Sequence, residues 1–128
     1  MIVRILLVDD ESDVLEMVKR RLIAAGHEVV AALSPRAAHE AWAVHSPIEL
    51  LLTDVDMQGR GSGVALAHGL LCFQPDLLVI FMTGSPLRDD LPDGHPVLAK
   101  PFPGGELISA IERLARPRQD SRERADAP

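Results

Sequence analysis

At 128 residues the chain is long enough for one domain with a single sizeable core. Its net charge of −6, and aromatics limited to Trp42, Phe73, Phe81 and Phe102, argue against non-specific nucleic-acid binding and base stacking. No apolar run approaches the roughly 20 residues that span a bilayer, and Cys72, the single cysteine, leaves no intrachain disulfide and suits a reducing cytoplasm.

Five short apolar runs recur along the chain: "IVRILLV" (2–8), "HEVVAA" (27–32), "IELLLT" (48–53), "LLVIFM" (77–82) and "PVLA" (96–99). The first, third and fourth are nearly continuous rather than alternating, the pattern of strands covered on both faces. Helical patterns lie between them. Over 12–25, Val14, Val18 and Leu22 share one face, with Ser12 placed to cap the start and Gly26 to end it. Over 34–45, Ser34 is an N-cap followed by Pro35 at the first helical position, and Ser46-Pro47 closes the helix. Ser62 is placed to cap a third helix running to about Phe73. Between Pro86 and Pro92 there is room for only one or two turns, so the fourth helix is expected to be short. A last helix over 104–116 carries Leu107, Ile111 and Leu114 on one stripe, and Pro117 is expected to stop it. Residues 117–128, with three Arg balanced by three acids beyond the proline, read as a disordered tail after a domain at 1–116. The alternation of strand and helix implies an α/β fold, a doubly wound parallel sheet with helices on both faces.

In such a sheet, ligands sit at the carboxyl ends of the strands. There the first strand ends in Asp9, Asp10 and Glu11, the third in Asp54 followed by Asp56, the fourth in Thr83-Gly84 and the fifth in Lys100-Pro101-Phe102. Carboxylates packed together repel, and they need a cation between them. Mg²⁺ prefers oxygen ligands and is usually held by one or two carboxylates plus phosphate oxygens. A carboxylate such as Asp54 can attack phosphorus to form an acyl phosphate, with the metal, Thr83 and Lys100 neutralising the phosphoryl oxygens. Lys100 is one of two lysines in an arginine-rich chain, which suggests that a compact point charge is wanted there.

The motifs "LLVDDE" (6–11), "LLTDVDM" (51–57), "FMTG" (81–84) and "LAKPF" (98–102) resemble those of the receiver domain of bacterial two-component response regulators, over residues 2 to about 116. The resemblance implies the flavodoxin-like five-stranded sheet of order 2-1-3-4-5. It also implies a single-domain regulator that takes a phosphoryl group on Asp54 from a histidine kinase or a histidine phosphotransfer protein. Asp10 would ligate Mg²⁺ directly, Asp9 through water, and Asp54 and the backbone carbonyl of Asp56 would complete the protein ligands. Thr83 would bond the phosphoryl group and carry the signal, and Lys100 would pair with its oxygens. The Lys100-Pro101 bond matches the family's cis peptide. Output would run through protein contacts rather than nucleic acid or membrane, in a cytoplasmic monomer or weak dimer. Such a protein is a regulator with autocatalytic phosphotransfer and self-dephosphorylation, not an enzyme acting on a separate substrate.

Four features depart from the family pattern. Gln58 follows Met57 in place of the usual proline, and the loop "QGRGSG" (58–63) is one residue longer than the commonest form. Val97 replaces the switch aromatic, and the fourth helix is curtailed. This combination resembles stand-alone receivers or those of hybrid histidine kinases, and the short tail favours the stand-alone form. Two alternatives stand beside it. One is a pseudo-receiver that binds partners without being phosphorylated. The other is a haloacid-dehalogenase-type phosphatase opening on Asp54-x-Asp56, in which the second acid serves as general acid-base. That class carries its other acidic pair late in the chain, whereas here Asp9-Asp10 comes first.

Among the remaining residues, the five histidines have no metal-ligand spacing and read as surface or helix-face groups. Cys72 reads as a buried small hydrophobe, Trp42 as packing, and Arg60 as part of a solvated face. Val14, Met17, Val18 and Leu22 exceed what a sheet-facing stripe needs, so one of them is expected to stay exposed for a partner.

Overall fold

A computed structural model of the chain describes residues 1–126. The elements run β1 (Arg4–Val8), α1 (Ser12–Ala24), β2 (Glu28–Ala32), α2 (Pro35–Val44), β3 (Leu50–Asp54), α3 (Ser62–Phe73), β4 (Leu78–Thr83), β5 (Val97–Ala99) and α4 (Gly104–Asp126). The strands pair in parallel in the order β2-β1-β3-β4-β5, as the resemblance implies. Period-two alternation explains the continuous apolar runs. Ile5, Leu7, Leu50, Leu52, Ile80 and Met82 face a core that includes Val18 and Leu22 of α1 and Leu107 and Ile111 of α4. Leu6, Val8, Leu51, Val79 and Phe81 face the opposite core, beneath Ala38 of α2 and Leu66 and Leu70 of α3. Each fully buried Leu or Ile contributes roughly 1.5–3 kcal/mol, so both faces of the three central strands stabilise the fold. The register brings Val8 opposite Thr53, Asp54 opposite Met82 and Thr83 opposite Ala99, which sets the carboxyl ends level along one edge.

Several local details differ from expectation. Ser34 caps α2 by accepting from the Ala37 N–H at 3.1 Å, but Ser12 and Ser62 lie inside their helices and cap neither. Glu11 precedes α1, Gly61 at φ 74° precedes α3, and the Ser62 hydroxyl instead accepts the Met57 N–H at 2.8 Å. The short fourth helix does not form: residues 84–96 are turns. Pro86, Pro92 and Pro96 each lack a donor, and Gly94 takes a left-handed φ of 85°.

The last helix does not stop at Pro117 but continues to Asp126. A helix-interior proline costs about 3 kcal/mol, because it removes a donor and its ring crowds the carbonyl four residues earlier. Arg113, whose carbonyl the proline leaves without its donor, and Pro117 are both exposed, so water can satisfy that carbonyl. Beyond it, Gln119 donates to the Ile2 carbonyl at 3.3 Å and Arg122 pairs with Glu49 at 3.5 Å, holding the helix against the amino edge of the sheet. The expected disordered tail is therefore helical over 117–126, and positions 127–128 lie outside the described residues. Cys72 is exposed, not buried, because it falls on the outer side of α3. His27 is buried rather than at the surface, its Nδ1 accepting the Val3 N–H at 3.1 Å.

Candidate functional site

The end of β1 turns sharply, and the turn sets Asp9 inward and Asp10 outward: Asp9 is wholly buried and Asp10 exposed. Each Asp9 oxygen accepts a bond, one from the Glu11 N–H at 3.0 Å and the other from the Lys100 ammonium at 2.6 Å. Asp54, the last residue of the central strand, is also buried and lies 3.4 Å from the same ammonium. Carboxylate oxygens of Asp9, Asp10 and Asp54 come within 4.8 Å of one another. That spacing suits a small oxygen-seeking dication with water completing its shell, so the donor set fits Mg²⁺.

The electrostatics agree. Burial raises the Asp54 carboxyl from 3.8 to about 6; Lys100 opposes the rise, and Asp9 and Asp10 add to it. Burial works against the charge on Lys100, yet Asp9 and Asp54 outweigh it and hold the ammonium above its ordinary value. One lysine among three acids leaves a net negative pocket, which a dication would neutralise. Thr83 is buried at the end of β4, its hydroxyl accepting the Ser85 N–H at 3.0 Å. The Lys100 N–H donates to the Thr83 carbonyl at 2.8 Å, tying β5 to β4 at the site. The Lys100-Pro101 peptide is cis.

Three carboxylates, a hydroxyl and an ammonium thus meet at one sheet edge from the ends of four strands. The family model for the response regulator receiver domain matches residues 5–112. The chain belongs to that family. The receiver is 33% identical over 116 residues to the response regulator receiver protein CpdR of Brucella abortus (strain 2308), covering 87% of this chain and 95% of that one. Among solved structures, a response regulator receiver domain protein from Clostridium thermocellum superposes with a TM-score of 0.82 at 27% identity, covering 91% of this chain and 97% of that one. The response regulator TrrA from Thermotoga maritima, solved with Mg(2+)-BeF, gives a TM-score of 0.76 at 29% identity, covering 88% of this chain and 98% of that one.

In this receiver, Asp56 lies apart from the acidic trio. Its side chain accepts the Gly61 N–H at 2.6 Å and pairs with the Arg88 guanidinium. Those bonds, Arg88 first, hold its carboxyl below the ordinary carboxylate range, so it stays ionised. A general acid must carry a proton, and this arrangement disfavours the phosphatase alternative, which assigns that role to Asp56.

Sequence reasoning passed over two residues. Arg88 is the single arginine between Thr83 and Val97, set among Asp89, Asp90 and Asp93, and that isolation was its available signal. The other is Gly63, the last residue of the lengthened loop 58–63. Its backbone presses on the Asp54 carbonyl so closely that a Cβ would stand 1.7 Å from that oxygen. Arg60 meets Asp90 of this same chain at 3.2 Å. Trp42 packs against Phe73 with centroids 5.9 Å apart and donates to Gln74 at 2.9 Å. Met17 is the exposed member of the α1 apolar set, at 46%.

Proposed function

We propose that this receiver is a single-domain response regulator that accepts a phosphoryl group on Asp54 and signals through protein contacts. The observation that carries this reading is the placement of the Asp54 carboxylate among Asp9, Asp10 and the Lys100 ammonium, 3.4 Å away. An Asp54 oxygen attacks phosphorus as the bond to the donor nitrogen breaks, and the departing imidazole of the donor histidine takes up a proton. The product is an aspartyl phosphate, which water later cleaves to inorganic phosphate and the original carboxylate. Asp10, Asp54 and the Asp56 backbone carbonyl would hold Mg²⁺, with Asp9 reaching it through water, and the ion would supply positive charge near the phosphoryl oxygens. The Mg(2+)-BeF complex of the Thermotoga relative supports this assignment. Lys100 leaves Asp54 to pair with the new phosphoryl oxygens while keeping Asp9, and the Thr83 side chain turns so that its hydroxyl donates to the phosphoryl group.

The donor is a phosphohistidine on a histidine kinase or a histidine phosphotransfer protein. A groove of about 390 Å³ beside Lys100, walled by Val14, Met17, Val18 and Phe102, is open to such a partner. The test is to incubate the chain with Mg²⁺ and acetyl phosphate and compare intact masses with Asp54→Ala. One phosphoryl adduct on the wild type alone supports the reading. No adduct in the presence of bound Mg²⁺ refutes it in favour of the pseudo-receiver.

A further inference from the structure

Residues 84–96 form turns in place of the expected helix, with Leu91 packed on the core and His95 edge-on to Phe81. Leu87 is 97% exposed, whereas the adjoining Arg88 side chain is only 10% exposed. The chain therefore turns its cation inward and its leucine outward, the reverse of what transfer free energies favour for an unconstrained turn. The reason is the bonding of the guanidinium. It pairs with Asp56 on the β3–α3 loop and, through Nη2 at 2.7 Å, with Asp90 in its own segment. Arg60 reaches the same Asp90 from the β3–α3 loop at 3.2 Å, so two arginines and two acids cross the gap. Asp56 in turn accepts the Gly61 N–H at 2.6 Å, which anchors the far side of the bridge.

We propose that the Arg88–Asp56 pair is a latch that holds residues 84–96 against the β3–α3 loop and restrains Thr83, making Arg88 a positioning residue for phosphoryl transfer. This proposal rests on the reading of Asp54 as phosphoacceptor. The Thr83 carbonyl is fixed by the Lys100 N–H at 2.8 Å, and its hydroxyl oxygen accepts the Ser85 N–H at 3.0 Å. Turning the side chain so that its hydroxyl donates to a phosphoryl group moves the oxygen that accepts the Ser85 N–H, and residues 84–88 shift if that bond is to be kept. With Arg88 bonded to Asp56 that shift is opposed, so the latch favours the unphosphorylated arrangement. Val97 offers no ring at the edge of β5 to perform such coupling, whereas the ion pair joins the Thr83 segment directly to the loop following Asp54.

Two measurements on the full chain test this, with Arg88→Gln, Arg88→Lys and, as control, Arg36→Gln. Arg36 pairs with Glu40 at 3.5 Å on the exposed side of α2, remote from the site. In amide hydrogen exchange without metal or donor, Arg88→Gln should speed exchange across 84–96 by about tenfold and leave β1 and β3 unchanged. With Mg²⁺ and acetyl phosphate, Arg88→Gln should load Asp54 about fivefold faster than wild type, with Arg88→Lys between them and Arg36→Gln unchanged. A merely structural arginine would slow loading on removal, so the direction separates the two roles. Equal exchange in wild type and Arg88→Gln, or loading that is equal or slower, overturns the latch. A wild type that takes no phosphoryl group overturns the reading beneath it. That result differs from failure of the latch alone, in which wild type loads and Arg88→Gln matches it.

Discussion

Substituting alanine for Gly63 adds one methyl group at the point where α3 meets the central strand. The new Cβ would stand 1.7 Å from the Asp54 carbonyl oxygen, 2.8 Å from its carbon and 3.1 Å from the Thr53 hydroxyl. A carbon–oxygen contact settles at about 3.3–3.6 Å, so helix and strand must part by roughly 1.5 Å or more. No rotamer change relieves the overlap, because the obstacle is backbone, and the Gly63 N–H is bonded to the Val55 carbonyl at 2.8 Å. Overpacking of this kind costs about 1–3 kcal/mol, and alanine returns up to ~1 kcal/mol through helix propensity. A net loss of about 1–2 kcal/mol follows, equivalent to a fall in melting temperature of roughly 4–8 °C for a domain of this size. The same displacement carries the Asp54 carboxylate out of line, and a misplacement near 1 Å costs on the order of 100-fold in rate. Urea unfolding should show a lower midpoint at unchanged slope, and loading by acetyl phosphate should slow in the fraction that remains folded. Gly59→Ala is the matched control: it lies in the same loop with nothing within 4 Å of its Cβ position, so it should stay within about 0.5 kcal/mol. Gly63→Ala with wild-type stability and wild-type loading would refute the close packing of α3 on Asp54.

The acidic pocket makes a second prediction. In the folded chain the Asp54 carboxyl sits at about 6 rather than 3.8. The native state therefore binds more protons than the unfolded state between those values, and its stability falls as pH rises through that window. Without metal, Asp54→Asn should be more stable than wild type at pH 7.5 by up to ~3 kcal/mol, with the difference closing as pH falls towards 4. Mg²⁺ should raise the melting temperature of wild type much more than that of Asp54→Asn; equal rises would refute the metal assignment. His27 acts in the opposite pH direction. Burial, first, lowers its value below 6.5, so the neutral ring is favoured in the fold, and its stability contribution is full above pH 6.5 and lost as pH falls below it. His27→Gln should weaken that part of the acid sensitivity, read from unfolding midpoints between pH 7.5 and 5.5. Finally, Pro117→Ala should restore a donor to α4 and stabilise its last turns by ~1–3 kcal/mol. Amide exchange over 118–126 should slow accordingly, and no change there would place the end of the helix at Pro117.

Much of the fold was legible from local pattern. Strand positions followed from unbroken Leu, Ile and Val runs, because a strand covered on both faces must be apolar at every residue. Helices followed from their apolar spacing and, for α2, from Ser34-Pro35, signals that act within a turn or two of chain. Asp9, Asp10, Asp54, Thr83 and Lys100 could be gathered from sequence because a doubly wound sheet brings its strand ends to one edge, whatever the intervening helices contain. Where expectation failed, the deciding partner lay far along the chain. Pro117 sits within a helix because Gln119 meets Ile2 and Arg122 meets Glu49, contacts that no local propensity encodes. His27 is buried by the Val3 backbone, and Cys72 is exposed by the rotation of α3 against the sheet. Apolar pattern, turn chemistry and residue type were thus determined by the sequence itself, since each depends on neighbours a few residues away. The pairing of Arg88 with Asp56 and the pressure of Gly63 on Asp54 were decided only by tertiary structure. Both depend on where two distant backbones stop, and on a close approach that only the assembled sheet and its helices bring about.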